Sequence, residues 1–155
     1  MREPKLRTLL AYWNAKRGMR AMPARADIDP LDVPPILPNI VLVDVTGDPP
    51  RFRFRVVGTD IVSRYGAELT GRDLEQVDLG NALGSVRSQY EETARERVPT
   101  YCRHQIETGG GKLLRYERLL LPLAADGAHV DMLLGGVYAI SSDIPIERQK
   151  MPPAR

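Results

Sequence analysis

The sequence is poor in the residues that build covalent and metal-centred chemistry. Its 155 residues include one cysteine, Cys102, and two histidines, His104 and His129. A lone cysteine excludes an intrachain disulfide framework and a cysteine-rich zinc site. Lysine and arginine together number 22 against 20 aspartates and glutamates, a net charge of +2, so no charge surplus marks a nucleic-acid binder. No apolar run approaches the roughly 20 residues that cross a bilayer. The opening MREPKLRTLLAYWNAKRG lacks the uninterrupted core of a signal peptide. What remains, with 43% hydrophobic residues, is a reduced, cytoplasmic globular chain with one domain's worth of core and no membrane segment.

The chain divides into four stretches. Residues 1–20 read as an amphipathic helix: Leu6, Leu9, Leu10 and Trp13 recur at i, i+3, i+4 and i+7, Pro4 suits the first turn and Gly18 the position past the last. So short a helix must dock on something, either capping its own domain or serving as a dimer arm. Residues 21–39 hold five prolines, Pro23, Pro30, Pro34, Pro35 and Pro38, which forbid a long helix. They read as an ordered connector anchored by Ile28, Leu31, Ile36 and Leu37, with Asp29-Pro30 opening a single turn.

Residues 40–141 carry the core. Ile40 to Val45 and the alternating Arg51-Phe52-Arg53-Phe54-Arg55-Val56 flank the turn-rich Thr46-Gly47-Asp48-Pro49-Pro50, which predicts a hairpin. A short helix runs from Thr59 or Asp60 to Tyr65 and closes at Gly66. A longer one presents Leu83, Val86, Tyr90 and Ala94 on one face and Arg87, Glu91 and Arg95 as i, i+4 pairs outside; Asn81 is its candidate cap and Pro99 ends it. Thr100 to Glu107, Lys112 to Leu123 and His129 to Ile140 are strands joined by Gly-rich hairpins. Residues 142–155 form a polar, proline-bearing tail expected to fray. The order predicts an α+β fold: a five-stranded antiparallel sheet whose crossover helices share one face, leaving the other to the N-terminal helix.

Catalytic constellations are weak. Cys102 and His104, two apart on one strand, share a face but stand roughly 6–7 Å apart, too far for a nucleophile–base bond, and no second ligand pair completes a metal site. Thr108-Gly109-Gly110-Gly111-Lys112 lacks phosphate-loop spacing and precedes a strand, so it reads as a hairpin. The Arg51, Arg53, Arg55 stripe is the polar face of a strand before it is a nucleic-acid contact.

Three stretches carry a family resemblance: the Trp13 segment with Met22-Pro23-Ala24-Arg25-Ala26-Asp27-Ile28-Asp29-Pro30; Phe54-Arg55-Val56-Val57-Gly58-Thr59 followed by Leu69-Thr70-Gly71; and Tyr116 to Leu123 leading to Leu134-Gly135-Gly136. Their order and spacing resemble the PAS domains, in particular the compact PAS-like family of α-proteobacterial single-domain proteins. The resemblance implies the strand order 2-1-5-4-3, a cavity between sheet and helices, and a sensory, non-enzymatic role in signal transduction. It also allows known cofactor types to be checked. The Asn-Cys-Arg-Phe helix motif of flavin-binding light sensors is absent, residues 82–98 contain no haem-ligating histidine, and Cys102 falls past the region where the p-coumaroyl type carries its cysteine. No haem, flavin or covalent chromophore signature is present, and the cofactor, if any, is unidentified.

What the resemblance then implies is a generic, non-covalent small-molecule pocket, with output through a protein partner or a homodimer. The candidate pocket residues are Arg55, Tyr65, Tyr90, His104, Tyr116 and Arg118. The tyrosines are equally readable as core residues. Arg55 can pair with Asp60 or Glu117, or face an anionic ligand. Which strand face points inward stays open, since a one-residue slip reverses it. Leu6, Leu9, Leu10 and Trp13 form the cap or dimer helix. The alternative is an enzyme or carrier of a cone-shaped α+β fold.

Overall fold

The computed structural model describes residues 1–142 and 144–146 of the chain. Helix α1 (Pro4–Arg17) begins with Pro4 in its first turn and Glu3 as cap, whose side chain accepts a hydrogen bond from the Lys5 amide. The proline-rich connector cannot continue a helix and instead makes three short 3-10 segments, Arg25–Asp27, Pro30–Asp32 and Pro34–Asn39. Asp29 caps the second as expected, accepting from the Leu31 amide at 2.9 Å. Strands β1 (Ile40–Thr46) and β2 (Arg51–Val57) form the first hairpin. Helix α2 (Thr59–Tyr65) and helix α3 (Leu83–Glu96) fill the crossover, and β3 (Thr100–Glu107), β4 (Leu113–Leu123) and β5 (Met132–Ala139) complete the sheet. All pairings are antiparallel, in the order β2-β1-β5-β4-β3. That is the order the resemblance implied, and it is not the cone-shaped alternative.

The sheet has two buried faces because alternate residues of each strand point opposite ways. One face carries Ile40, Leu42, Leu119, Leu121, Leu134 and Tyr138 against α1 and the connector. The other carries Val41, Val43, Phe52, Phe54, Ile106, Leu120 and Leu133 against α3 and the crossover. Leu6, Leu9 and Trp13 are buried on the chain's own sheet, with Leu10 partly buried beside them.

The three motif stretches turn out to be joints. Trp13 Nε1 donates to the Pro122 carbonyl at 2.9 Å, and the Ala124 amide donates to the Pro23 carbonyl at 3.0 Å. The β3–β4 ladder ends at Thr100 opposite Leu120, so β4 outruns its neighbour there, and the Trp13 and Met22-Pro23 segments cover the exposed edge in place of a strand. A proline at position 122 is tolerated for the same reason: no ladder bond on that side needs its missing N–H. In the second stretch, the Gly71 amide donates to the Phe54 carbonyl at 2.7 Å and the Phe54 amide to that of Arg72 at 3.0 Å. A Cβ on Gly58 would lie 2.2 Å from the Pro38 carbonyl oxygen, and one on Gly136 would lie 2.6 Å from Leu6 Cδ2. Those two positions let the connector and α1 sit against the sheet.

Several local expectations need correction. Asn81 does not cap α3; it lies in the 3-10 turn Gly80–Ala82, and α3 starts at Leu83 without a side-chain cap. Arg87 pairs with Glu75 and Arg95 with Glu96, not with residues a helical turn away. Leu31, expected as an anchor, is exposed, whereas Ile28 and Ile36 are buried. Lys112 and His129 fall outside the strands. Of the tail expected to fray, residues 143 and 147–155 lie outside the described residues, but Ile144 is buried and its carbonyl accepts from Arg115.

Candidate functional site

Between the sheet and helices α2 and α3 lies a cavity of about 730 Å³. Val41, Phe54, Leu69, Val86 and Ile106 supply apolar wall, and Tyr65, Tyr90, Tyr116 and Arg118 also line it. A mostly apolar chamber of this size with a few converging polar groups suits a small organic ligand.

The polar cluster is assembled from β3, β4 and α3. His104 and Tyr116 are cross-strand neighbours, as are Cys102 and Arg118. Even-numbered residues of both strands face α3, which places Arg118 diagonally beside His104. Arg118 is only 4% exposed. Its Nε donates to Gln89 Oε1 at 3.0 Å, one terminal nitrogen to the Tyr116 hydroxyl at 3.2 Å, and the other lies 3.2 Å from His104 Nε2. The guanidinium also sits over the rings of Tyr90 and Tyr116, 4.9 and 5.3 Å from their centroids, an attractive arrangement for a buried cation. All these partners are neutral, and no carboxylate is among the groups acting on Arg118.

Gln89 is the second hub. Its side-chain nitrogen donates to the Arg118 carbonyl at 3.2 Å and to Thr100 Oγ1 at 3.2 Å, and the Thr93 hydroxyl donates to the Gln89 carbonyl at 2.8 Å. With its oxygen engaged by Arg118, the sequence Val86, Gln89, Tyr90, Thr93 gives α3 a buried face that is half polar. These four positions follow the i, i+3, i+4, i+7 rule, so a glutamine and a threonine standing where core residues belong was the available signal. Reading Leu83 and Ala94 into that face instead missed them; both are only partly buried.

His104 is 6% exposed. Burial first, and then the Arg118 cation, push its imidazole down to about 3. It is therefore neutral near pH 7, and its Nε2 stands between an Arg118 terminal nitrogen at 3.2 Å, from which it can accept, and Gln89 Oε1 at 3.3 Å, to which it can donate. His104 does not line the cavity itself; it backs Arg118 from behind. Burial raises the Tyr90, Tyr116 and Cys102 pKa values. A buried thiol held in its protonated form is a poor nucleophile, and Cys102 is absent from the cavity wall.

Of the remaining sequence candidates, Tyr65 lines the cavity with its ring while its hydroxyl donates to the Asp78 carbonyl at 2.9 Å. Arg55 is elsewhere: 59% exposed on the outer face of β2, it pairs with Asp44 at 3.0 Å rather than with Asp60, Glu117 or a ligand. Arg53 pairs with Asp73 at 3.0 Å, so the arginine stripe is already partly neutralised. Glu117 is fully buried on the opposite sheet face, accepting from the Arg2 amide at 3.1 Å, the Glu3 amide at 2.6 Å and the Tyr101 hydroxyl at 2.5 Å. Asp126 engages His129 at 2.7 Å in an exposed turn remote from this cluster. Among the described residues, no group of three or more His, Cys, Asp or Glu side chains could hold a metal ion, and no helix is long and apolar enough to cross a membrane.

Comparison with known proteins adds the family. The model of a family described as the PAS domain matches residues 1–138. Among solved structures, a light-oxygen-voltage domain studied with a flavin analogue has a TM-score of 0.58 at 14% identity, over 73% of this chain and 84% of its own. A fungal light-oxygen-voltage photoreceptor gives 0.55 at 14% identity, over 87% and 91%. The PAS domain of Bordetella pertussis BvgS gives 0.51 at 17%, over 68% and 79%. At such identities the likeness carries the fold alone. Among curated proteins, none matches.

Proposed function

This chain belongs to the PAS domain family, and from that premise we propose that it is a sensory domain binding a small molecule non-covalently in the cavity between sheet and helices. The observation that carries the reading is the chamber of about 730 Å³ whose lining includes Arg118, a buried arginine. A side chain held by hydrogen bonds to Gln89 and Tyr116 and by two aromatic rings is preorganised for recognition, so little ordering cost attends binding.

The flavin chemistry associated with one structural relative fits this chain poorly as a covalent adduct. The single thiol, Cys102, stands on β3 outside the cavity wall, with its pKa raised by burial. A non-covalent occupant suits the residues present. Nothing in the cluster pairs a nucleophile with a base, which supports a binding rather than a catalytic role.

The route outward runs through β4. Arg118 faces the cavity and its neighbour Glu117 faces α1, where its carboxylate holds the Arg2 and Glu3 amides. A shift of β4 on ligand binding would alter that grip and the surface α1 presents to a partner protein or second copy.

Native mass spectrometry tests the core of this reading. The purified protein is expected to carry an adduct of drug-like mass that disappears on denaturation and is depleted by Val137→Phe, which adds a ring to the cavity wall at the β5 position paired with Arg118. Wild-type protein without any adduct from a metabolite-rich lysate, or an adduct that Val137→Phe leaves in place, would overturn it.

A further inference from the structure

The cavity's charge inventory goes further than the family does. Its wall contains four cationic side chains, Arg64, Lys112, Arg115 and Arg118, against one carboxylate, Asp60. Asp60 is already engaged, by Arg64 at 2.9 Å and by the Asn39 side chain at 3.0 Å. Arg64 is thus offset, while Arg118 at the inner end has only neutral partners.

A guanidinium stays charged at any pH a folded protein meets, and removing it from water is costly unless an opposite charge or a full set of acceptors compensates. Arg118 has five N–H donors, and at most three are used, by Gln89, Tyr116 and His104. One N–H on each terminal nitrogen therefore has no acceptor among the described residues. A guanidinium with an N–H to spare on each terminal nitrogen can donate to the oxygens of a carboxylate, sulfonate or phosphate head group. The neutral His104 imidazole beside the guanidinium adds no charge of its own, so the arginine's positive charge is left for whatever enters the cavity. Cations at the rim, Lys112 and Arg115, extend a field of the same sign towards solvent and favour entry of an anion. An inorganic ion alone would leave Val41, Phe54, Leu69, Val86 and Ile106 facing empty space, so the head group needs an apolar body.

We propose that the ligand of this cavity is an amphiphilic organic anion, its oxyanion head on the free N–H groups of Arg118 and its apolar body among the walls supplied by β1, β2, β3 and α3. This rests on the ligand-binding reading above and names its chemical class.

A matched probe pair tests it without knowledge of the natural ligand. 1-Anilinonaphthalene-8-sulfonate and N-phenyl-1-naphthylamine share one apolar body, and only the first carries an anion. At fixed ionic strength the folded full chain is expected to bind the sulfonate with one-to-one stoichiometry and at least tenfold more tightly than the amine. Val137→Phe should weaken binding of both, and Arg118→Met should cut sulfonate affinity at least tenfold while leaving the amine's unchanged or tighter. A wild-type ratio below tenfold overturns the anion assignment while leaving a ligand cavity in place. Binding of neither probe, or binding indifferent to Val137→Phe, overturns the cavity reading itself. Should Arg118→Met fail to fold, judged by far-UV circular dichroism, the wild-type ratio and Val137→Phe still decide the matter.

Discussion

Trp13→Ala is expected to destabilise the protein by about 3–5 kcal/mol, a large share of the stability of a domain this size. The side chain is 2% exposed and packs with Leu6, Leu9 and Met22 over the outer sheet face. Removing it leaves a cavity that α1 cannot close, since Gly136 already brings Leu6 as near to the sheet as backbone allows. It also strands the Pro122 carbonyl, which accepts from the indole at 2.9 Å and lies where β4 has no neighbouring strand. Trp13→Phe separates the two contributions. It keeps most of the apolar volume but loses the donor, and should cost about 1–3 kcal/mol. Urea denaturation followed by far-UV circular dichroism gives both values. Equal losses for the two variants, or a loss under 1 kcal/mol for Trp13→Ala, would mean that α1 is not the outer wall of the core.

How much of this was legible in the sequence depends on the range of the interaction concerned. Element type was readable because period and punctuation are local: the alternation of Phe52 and Phe54 with arginines, and Gly66 closing α2, say what those segments are without reference to the rest. The joints were visible only as motifs. Trp13 and Pro23 lie about a hundred positions from Pro122, and nothing local announces that an indole will cover the edge left where β4 outruns β3. The site was half readable for the same reason. His104, Tyr116 and Arg118 could be nominated from a hairpin, and the register brings them together. Arg55 is alike in chemistry but sits on the solvent face of β2, a distinction that turns on a single-residue phase. Gln89 was missed because a glutamine on a helix is ordinarily a surface residue, and only its i+3 spacing from Val86 argued otherwise. Glu117 and Arg118, adjacent and opposite in charge, alternate across the sheet as strand neighbours must. They are buried on opposite faces of the sheet, and each is satisfied by different elements.

Acid should weaken the folded state through His104 before it acts through the carboxylates. The imidazole is buried behind Arg118, facing Tyr116 on β4 and Gln89 on α3, with Cys102 beside it on β3; burial first and the arginine's charge second lower it to about 3 from an unfolded value of 6.5. The unfolded chain therefore binds a proton below pH 6.5 that the folded chain refuses, so stability is full above that pH and falls as pH drops through the window down to about 3. The slope approaches about 1.4 kcal/mol per pH unit, a loss of about 2 kcal/mol by pH 5. Glu68 and Glu75, whose pKa values are lowered by hydrogen bonds from Thr70 and Arg87, add their own losses only at more acidic pH. Urea midpoints between about pH 7.5 and 5 isolate the histidine when wild type is compared with His104→Gln. Glutamine offers Arg118 an acceptor but no titrating nitrogen, and His129 is common to both proteins. The variant should hold its stability through this interval while wild type declines. Parallel curves would show that His104 gains its proton as easily folded as unfolded.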